Sequence, residues 1–332
     1  MQAVADAWYR GSRWLWLLRP LSLLFALIVA ARRLAYRRAW LQQRRLPVAV
    51  WVVGNITVGG AGKTPLTLAL VEALSARGIR VGIVSRGYGG RSGDQPRRVR
   101  ADSLAAEVGD EPLLLARRSG VPVMVHADRY RAGLALLAEE PQLQLLLLDD
   151  GLQHYQLARD CEIAVVDGQR RFGNGWLLPA GPLREPQRRL ASVSARVCNG
   201  GTPQPGEWPM RLQPGPWRNL NGESAASLPP TARLWALAGI AHPARFFATL
   251  EALGMVVEQR LPLADHFALT DGWLQDLIPS GVTLVMTEKD AVKLSPACGR
   301  DVWYLQVTAQ LPPELVEQLL LRHPLAGDSH AD

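Results

Sequence analysis

The sequence predicts an α/β fold: a doubly wound, mainly parallel sheet, preceded by an N-terminal membrane-associating helix and followed by a smaller C-terminal α/β domain. Three observations carry this. Continuous apolar runs alternate with segments of helical apolar spacing, a glycine-rich turn joins the first run to the first helix, and an apolar arm rich in arginine and aromatics precedes both. The expected boundaries are 1–45 for the arm, 46–220 for the core domain and 221–332 for the small domain. A chain of 332 residues suffices for two ordinary domains, and 48% apolar against 20% charged residues excludes bulk disorder.

Residues 1–45 carry nine arginines against the single acid Asp6, a balance of +8. The other 287 residues hold 28 basic and 29 acidic side chains, so the chain's excess of positive charge belongs to the arm. No basic groove crosses the body, and no nucleic-acid partner is expected. Within the arm, residues 21–31 read LSLLFALIVAA. Extending the run back to Trp14 meets Arg19 and Pro20, short of the roughly 20 apolar residues a crossing needs. Trp8, Tyr9, Trp14, Trp16, Tyr36 and Trp40 bracket the run. An apolar body flanked by rings and cations suits a monotopic helix lying in a lipid interface. A buried core helix shares this composition, and so does a secretory leader, although export would carry the downstream nucleotide loop away from ATP. The three cysteines (Cys161, Cys198, Cys298) form no CxxC pair, which fits a reducing compartment and argues against a disulfide framework or a cysteine zinc site. Only three of 37 cations are lysine, which reads as a GC-rich coding composition.

VAVWVV (48–53) is a fully apolar run of the kind buried parallel strands show. Residues 66–77 have helical apolar spacing and stop at Gly78, a C-terminal cap. Further strands are expected at 81–85, 122–126, 143–148, 163–167 and 195–199. The stretch 200–217 is dense in proline and glycine and reads as a linker or irregular ribbon. Beyond it a strand (232–239), helix (244–254), strand (256–262), helix (269–278) and strand (282–287) make the small unit, and the tail after Pro324 is expected to be polar and loose.

After the first strand comes Thr57-Val58-Gly59-Gly60-Ala61-Gly62-Lys63-Thr64, which ends as a Walker A loop does and opens a helix. Its glycines let backbone amides reach phosphate oxygens, Lys63 reaches the β- and γ-phosphates, and the Thr64 hydroxyl can ligate Mg²⁺. This makes the core P-loop NTPase-like, with Thr57 standing where the loop's first glycine usually sits. Asp149 and Asp150 end the apolar run at 143–148, where a Walker B carboxylate holds magnesium. Strand neighbours point opposite ways, so the two acids are not expected to face one ion together. His154 reads as a structural histidine.

Gly109-Asp110-Glu111-Pro112 offers helix capping by Asp110 or a catalytic acid pair. Arg86, Gly87 and Tyr88 end the second strand beside the phosphate loop and suit an anionic acceptor. Arg129 supplies a further cation after the third strand, and Gln153 joins the expected substrate-binding set. In the small unit, Asp265 beside His266 suits either a poised proton acceptor or a buried histidine. Thr287 to Asp290 reads as a capping box.

Taken in order, GNITVGGAGKTP (54–65), SRGYGG (85–90), GDEP (109–112), DDGLQH (149–154), LPAGPLREP (178–186), ADHF (264–267) and TEKDAVK (287–293) resemble the tetraacyldisaccharide 4′-kinase family of lipid A synthesis in Gram-negative bacteria. The resemblance implies transfer of the ATP γ-phosphate to the 4′-hydroxyl of a tetraacylated glucosamine disaccharide 1-phosphate, giving lipid IVA. It also implies a peripheral enzyme on the cytoplasmic face of the inner membrane, with the lipid surface as its partner and no obligate protein partner. Asp110 would be the general base, working with His266. Lys63 and Thr64 would act on ATP, with Glu111 and Asp149 near Mg²⁺ and the ATP phosphates; Asp150, by its position alone, is shared between metal and acceptor. The rival readings are a membrane-associated P-loop ATPase, which needs no acceptor-side base, and a nucleotide switch without a lipid acceptor. The small domain's His266 suggests that the active site is the cleft between the two domains.

Overall fold

In the strand Ala49–Gly54 (β1), Val50 and Val52 face one apolar cluster while Trp51 and Val53 face another. That alternation, with both sides buried, explains why the sequence shows a continuous apolar run rather than a striped one. The protein is seen in a computed structural model that describes residues 2–91, 93–228 and 233–325. The tail beyond Leu325, expected to be loose, lies outside the described residues.

After β1 the strands are β2 (Val81–Ser85), β3 (Arg97–Val99), β4 (Val123–Val125), β5 (Leu145–Asp149), β6 (Cys161–Asp167) and β7 (Ala195–Asn199). β8 (Glu207–Asn219), β9 (Ser224–Ala225), β10 (Leu234–Ala238), β11 (Gln259–Pro262), β12 (Thr283–Thr287) and β13 (Asp301–Gln310) follow. The helices are α1 (Gln2–Arg10), α2 (Arg19–Arg37), α3 (Lys63–Ser75), α4 (Ala105–Val108) and α5 (Asp110–Ser119). The remainder are α6 (Arg129–Glu139), α7 (Pro243–Ala252), α8 (Asp271–Leu277), α9 (Glu288–Ala291) and α10 (Pro313–Arg322).

All thirteen strands join one sheet in the order β11-β10-β12-β13-β8-β7-β6-β1-β5-β2-β4-β3, with β9 paired to β8. β1 lies parallel between β5 and β6, as the doubly wound reading requires. α3, α5 and α10 cover one face through Leu66, Leu70, Leu113 and Leu315, while Leu136 of α6 packs on the other.

Of the two readings of the Pro- and Gly-dense stretch after residue 200, the linker is corrected and the irregular ribbon holds: most of it is β8, whose first residues run parallel to β7 and whose remainder runs antiparallel to β13. The ladder tolerates this composition because its register shifts between Leu305 and Val307, leaving Gly215 and Pro216 opposite Gln306 in a bulge. β8 therefore carries the sheet from the first half of the chain into the second.

Within α2 itself only Ser22 is buried, so α2 is not a core helix. Leu23, Leu24, Leu27 and Ile28 stand out in solvent, each more than half exposed. Arg13–Arg37 spans 25 residues and is long and apolar enough to cross a membrane by length and composition. The Ser22 hydroxyl donates to the Leu177 carbonyl (2.8 Å) and the Trp8 indole to that of Pro179 (3.0 Å), which fixes the arm against the segment around Pro182.

Candidate active site

The phosphate loop leaves β1 at Gly54 and enters α3 at Lys63, with Gly62 as the residue before the helix at φ 99°. A side chain at Gly62 would run into the amide of Asn199, which donates to the Ala61 carbonyl at 2.9 Å. Both backbone angle and space therefore require glycine. Asn55, fully buried, braces the loop by donating to the Thr57 hydroxyl (3.0 Å) and the Gly59 carbonyl (3.3 Å). The Val58 amide donates to the Pro182 carbonyl (2.8 Å). Thr57 and Val58 are thus tied to protein, and the turn that meets the cleft runs through Gly60, Gly62, Lys63 and Thr64.

Asp149 ends β5, buried, with the Thr67 hydroxyl 3.5 Å from its Oδ1. Burial, then the charge of Glu111, pushes its carboxyl up to about 7. Asp150 has left the strand, at φ 49°, so strand alternation no longer sets its direction. It lies 3.7 Å from the Lys63 ammonium and takes both terminal nitrogens of Arg184 at 3.1–3.2 Å. Against the cost of burial, Lys63 and Arg184 hold Asp150 down to about 2. Arg184 also donates to Asn55, closing a ring around the loop.

Asp110 begins α5 and is buried. The N-cap is Gly109, at φ 91°, where an added Cβ would sit 2.6 Å from the Tyr88 carbonyl, and Asp110 Oδ1 accepts from the Glu111 amide (2.9 Å) in the first turn. Both Asp110 oxygens also face Nδ1 of His266, at 3.0 and 3.1 Å. Burial raises the Asp110 pKa, but the hydrogen bond from His266 and the charge of Lys289 outweigh it and hold the acid below the usual range. The same hydrogen bond raises His266, against burial and Lys289. His266 sits at φ 59°, a strained angle for a residue with a side chain, and the Tyr88 ring packs edge-on against it at 4.9 Å.

Two residues missing from the sequence-derived set complete the cluster. Lys289 donates to Glu111 (2.8 Å) and Asp265 (3.1 Å) and lies 3.5 Å from His266 Nε2. Burial alone would lower its pKa, but Glu111, Asp110 and Asp265 raise it. Lys293 reaches Asp110 at 3.8 Å and Asp290 at 3.0 Å. The capping reading of this segment holds, since the Thr287 hydroxyl accepts from the Asp290 amide, yet the two lysines face Glu111 and Asp110. The other expected residues divide. Arg86 is exposed at the end of β2. Arg129 is buried, its guanidinium lowered to about 10 by burial and then by the neighbouring charge of Arg86. Gln153 turns inward, donating to the Asn55 carbonyl (3.1 Å) and Glu185 (2.9 Å). His154 is lowered to about 4 by burial and then by Arg129 and Arg159, and so is neutral at pH 7.

A cleft of about 400 Å³ joins the two halves of the chain. Lys63, Thr64 and Glu111 line it from the first half, Asp265 and Lys289 from the second. Its far wall is apolar, formed by Leu212, Ile240, Phe246, Leu305 and Val307. No group of three or more His, Cys, Asp or Glu side chains among the described residues could hold a metal ion by itself. Asp149 and Glu111 nevertheless repel one another here, the condition that a cation between them would relieve.

The chain is similar to known proteins over nearly its whole length. The family profile described as LpxK, tetraacyldisaccharide-1-P 4′-kinase, matches residues 14–323. A tetraacyldisaccharide 4′-kinase of Aeromonas hydrophila is 51% identical over 313 residues, covering 94% of this chain and 93% of that one. One from Aeromonas salmonicida is 50% identical over 317 residues, covering 96% and 95%. LpxK from Aquifex aeolicus, crystallised in complex with ATP, matches with a TM-score of 0.78 at 29% identity, over 92% of this chain and 98% of that one.

Proposed function

This chain belongs to the tetraacyldisaccharide-1-phosphate 4′-kinase family, and from that premise we propose how its residues carry out the reaction. The enzyme is an ATP-dependent kinase of lipid A synthesis. Its substrate is the tetraacylated glucosamine disaccharide 1-phosphate and its product lipid IVA. The observation that carries the proposed roles is the Asp110–His266 contact, whose chain neighbours Glu111 and Asp265 line the same cleft as Lys63 and Thr64 of the phosphate loop.

The amides of residues 59–64 and the N-terminus of α3 cradle the ATP phosphates, and Lys63 neutralises them. The apolar wall takes the base. Thr64, Glu111 and Asp149 would hold Mg²⁺ together with phosphate oxygens, since magnesium favours one or two carboxylates plus substrate. When bound, that ion would supply charge neutralisation on the phosphates. Asp150, engaged by Lys63 and Arg184, sets the lysine's position instead.

The acceptor's 4′-hydroxyl enters beside Asp110. Its oxygen forms the new bond to the γ-phosphorus as the bond to the β-phosphate oxygen breaks, and Asp110 takes the proton. A carboxylate held below its usual pKa is a weak base, so its main contribution is orientation until the P–O bond has begun to form. His266 shares the proton and fixes the carboxylate. Lys289 balances the charge of Glu111 and Asp265. Arg86, Gly87, Tyr88 and Arg129 form the acceptor side.

Residues 46–220 act as the kinase core and 221–332 as the unit that brings His266 and Lys289 to it. The arm lays its exposed leucines into the cytoplasmic leaflet of the inner membrane, with arginines on anionic headgroups. Transfer of label from [γ-³²P]ATP to the purified lipid in detergent micelles tests the reading. Labelled lipid should appear only with acceptor and enzyme together. ATP hydrolysis equal with and without lipid, and no labelled lipid, would replace the kinase with an ATPase.

A further inference from the structure

Behind the catalytic cleft lies a second cavity of about 430 Å³ that the kinase reaction does not use. Leu114 and Glu288 line both cavities, so one layer of side chains separates them. Its polar walls are Arg117 and Arg118 of α5, Arg218 of β8, Glu288 of α9, and Tyr304 and Gln306 of β13. Its apolar floor includes Leu114, Leu220 and Val292.

The charge in this space is unbalanced. Both oxygens of Glu288 are taken, one by Arg118 at 2.6 Å and the other by Gln306 at 3.2 Å. Arg117 donates its Nε to the Ala101 carbonyl (2.9 Å) and makes no other side-chain hydrogen bond among the described residues. The Nε of Arg218 is buried with no hydrogen-bond partner there. Three guanidinium groups thus face one carboxylate that is already satisfied. Burial lowers Arg117 and raises Glu288, both signs that the space disfavours isolated charge. Arg117 is exposed and Arg218 half-buried, with only its Nε shielded from solvent, so their uncommitted N–H groups are open to an anion, which guanidinium groups bind through paired charge-assisted hydrogen bonds.

We propose that this cavity is a second ligand site, one that takes a small phosphate ester. The guanidiniums of Arg218, Arg117 and Arg118 read the oxyanion, and a compact organic group rests on Leu114, Leu220 and Val292. The volume falls in the range of small-molecule pockets. The position is consequential: α5 begins with Asp110 and α9 holds Lys289, so an occupant touches the two helices that build the acceptor side of the cleft.

Phenyl phosphate is the probe, titrated calorimetrically into the full-length enzyme in detergent. The phosphate loop is first saturated with Mg²⁺ and β,γ-imido-ATP, which blocks the competing phosphate site. One phenyl phosphate should bind per chain, with affinity at least tenfold weaker in Arg218→Gln and partly restored in Arg218→Lys. Inorganic phosphate should bind more weakly than the ester. β,γ-imido-ATP affinity should stay unchanged in both variants, which establishes that they are folded. No binding to nucleotide-saturated wild type, undiminished binding in Arg218→Gln, or inorganic phosphate binding as tightly as the ester would each overturn the proposal.

Discussion

Replacing Asp110 by Asn keeps the shape and one acceptor oxygen but removes the charge that pairs with His266 across 3.0 Å. Replacing His266 by Gln removes the other half. General acid–base groups contribute about 10²–10⁴ in rate, and each tenfold step corresponds to about 1.4 kcal/mol of barrier. Each single change should therefore slow phosphoryl transfer by about 10³, or roughly 4 kcal/mol. Nδ1 of the histidine faces both oxygens of the same carboxylate, so the two side chains serve one proton. The double variant should then be hardly slower than either single one, leaving a coupling of about 4 kcal/mol rather than a product of effects near 10⁶. Single-turnover transfer to the lipid at saturating ATP isolates this step, with nucleotide affinity measured separately and expected to be unchanged. Rates that multiply in the double variant would refute the shared proton. So would Asp110→Asn transferring within about threefold of wild type, given the size expected for a general base.

Other outcomes follow from the same contacts. Asp149→Asn should abolish magnesium-dependent transfer yet raise the thermal midpoint of the metal-free protein, because burial and Glu111 disfavour the charged form; a lowered midpoint would contradict the placement. Gly62→Ala, forced to φ 99° against Asn199, should weaken ATP binding at least tenfold and cost about 1–3 kcal/mol in urea unfolding. His154 titrates near 4 in the folded chain and near 6.5 when unfolded. The unfolded state therefore binds more protons between those values, so stability falls as pH drops from about 6.5 to about 4. Urea midpoints of His154→Gln should show a shallower fall over that window than wild type. Leu23→Asp with Leu27→Asp should abolish co-sedimentation with anionic vesicles while leaving nucleotide affinity intact.

The sheet was legible wherever a strand is buried on both faces. Val48–Val53 and 143–148 could hardly read otherwise, and the glycine loop with the acids after β5 located the phosphate end. β8 was not legible, because Pro209, Pro214 and Pro216 signal a break that is resolved only by an irregular ladder between two partners far apart in sequence. Alternation in a strand was misleading for Asp150, whose positive φ takes it out of the strand. The pair Lys289 and Lys293 was missed for a related reason. A capping box is a local reading, and it was right for Thr287, but nothing local shows that Lys289 and Lys293 reach α5 from more than 170 residues away. A signal was present: the chain's only three lysines, Lys63, Lys289 and Lys293, each pair with an acid of the candidate site, Asp150, Glu111 and Asp110 respectively. Arg184 shows the same limit, since its bond to Asp150 depends on how the segment around Pro182 folds back over the phosphate loop.

The position of the new phosphate tests the central claim most directly. Phosphorus–proton correlation NMR of the purified product should show a second phosphomonoester coupled to the proton at carbon 4′, formed in step with ADP. A phosphate on another hydroxyl, or ADP without any phosphorylated lipid, would contradict the account.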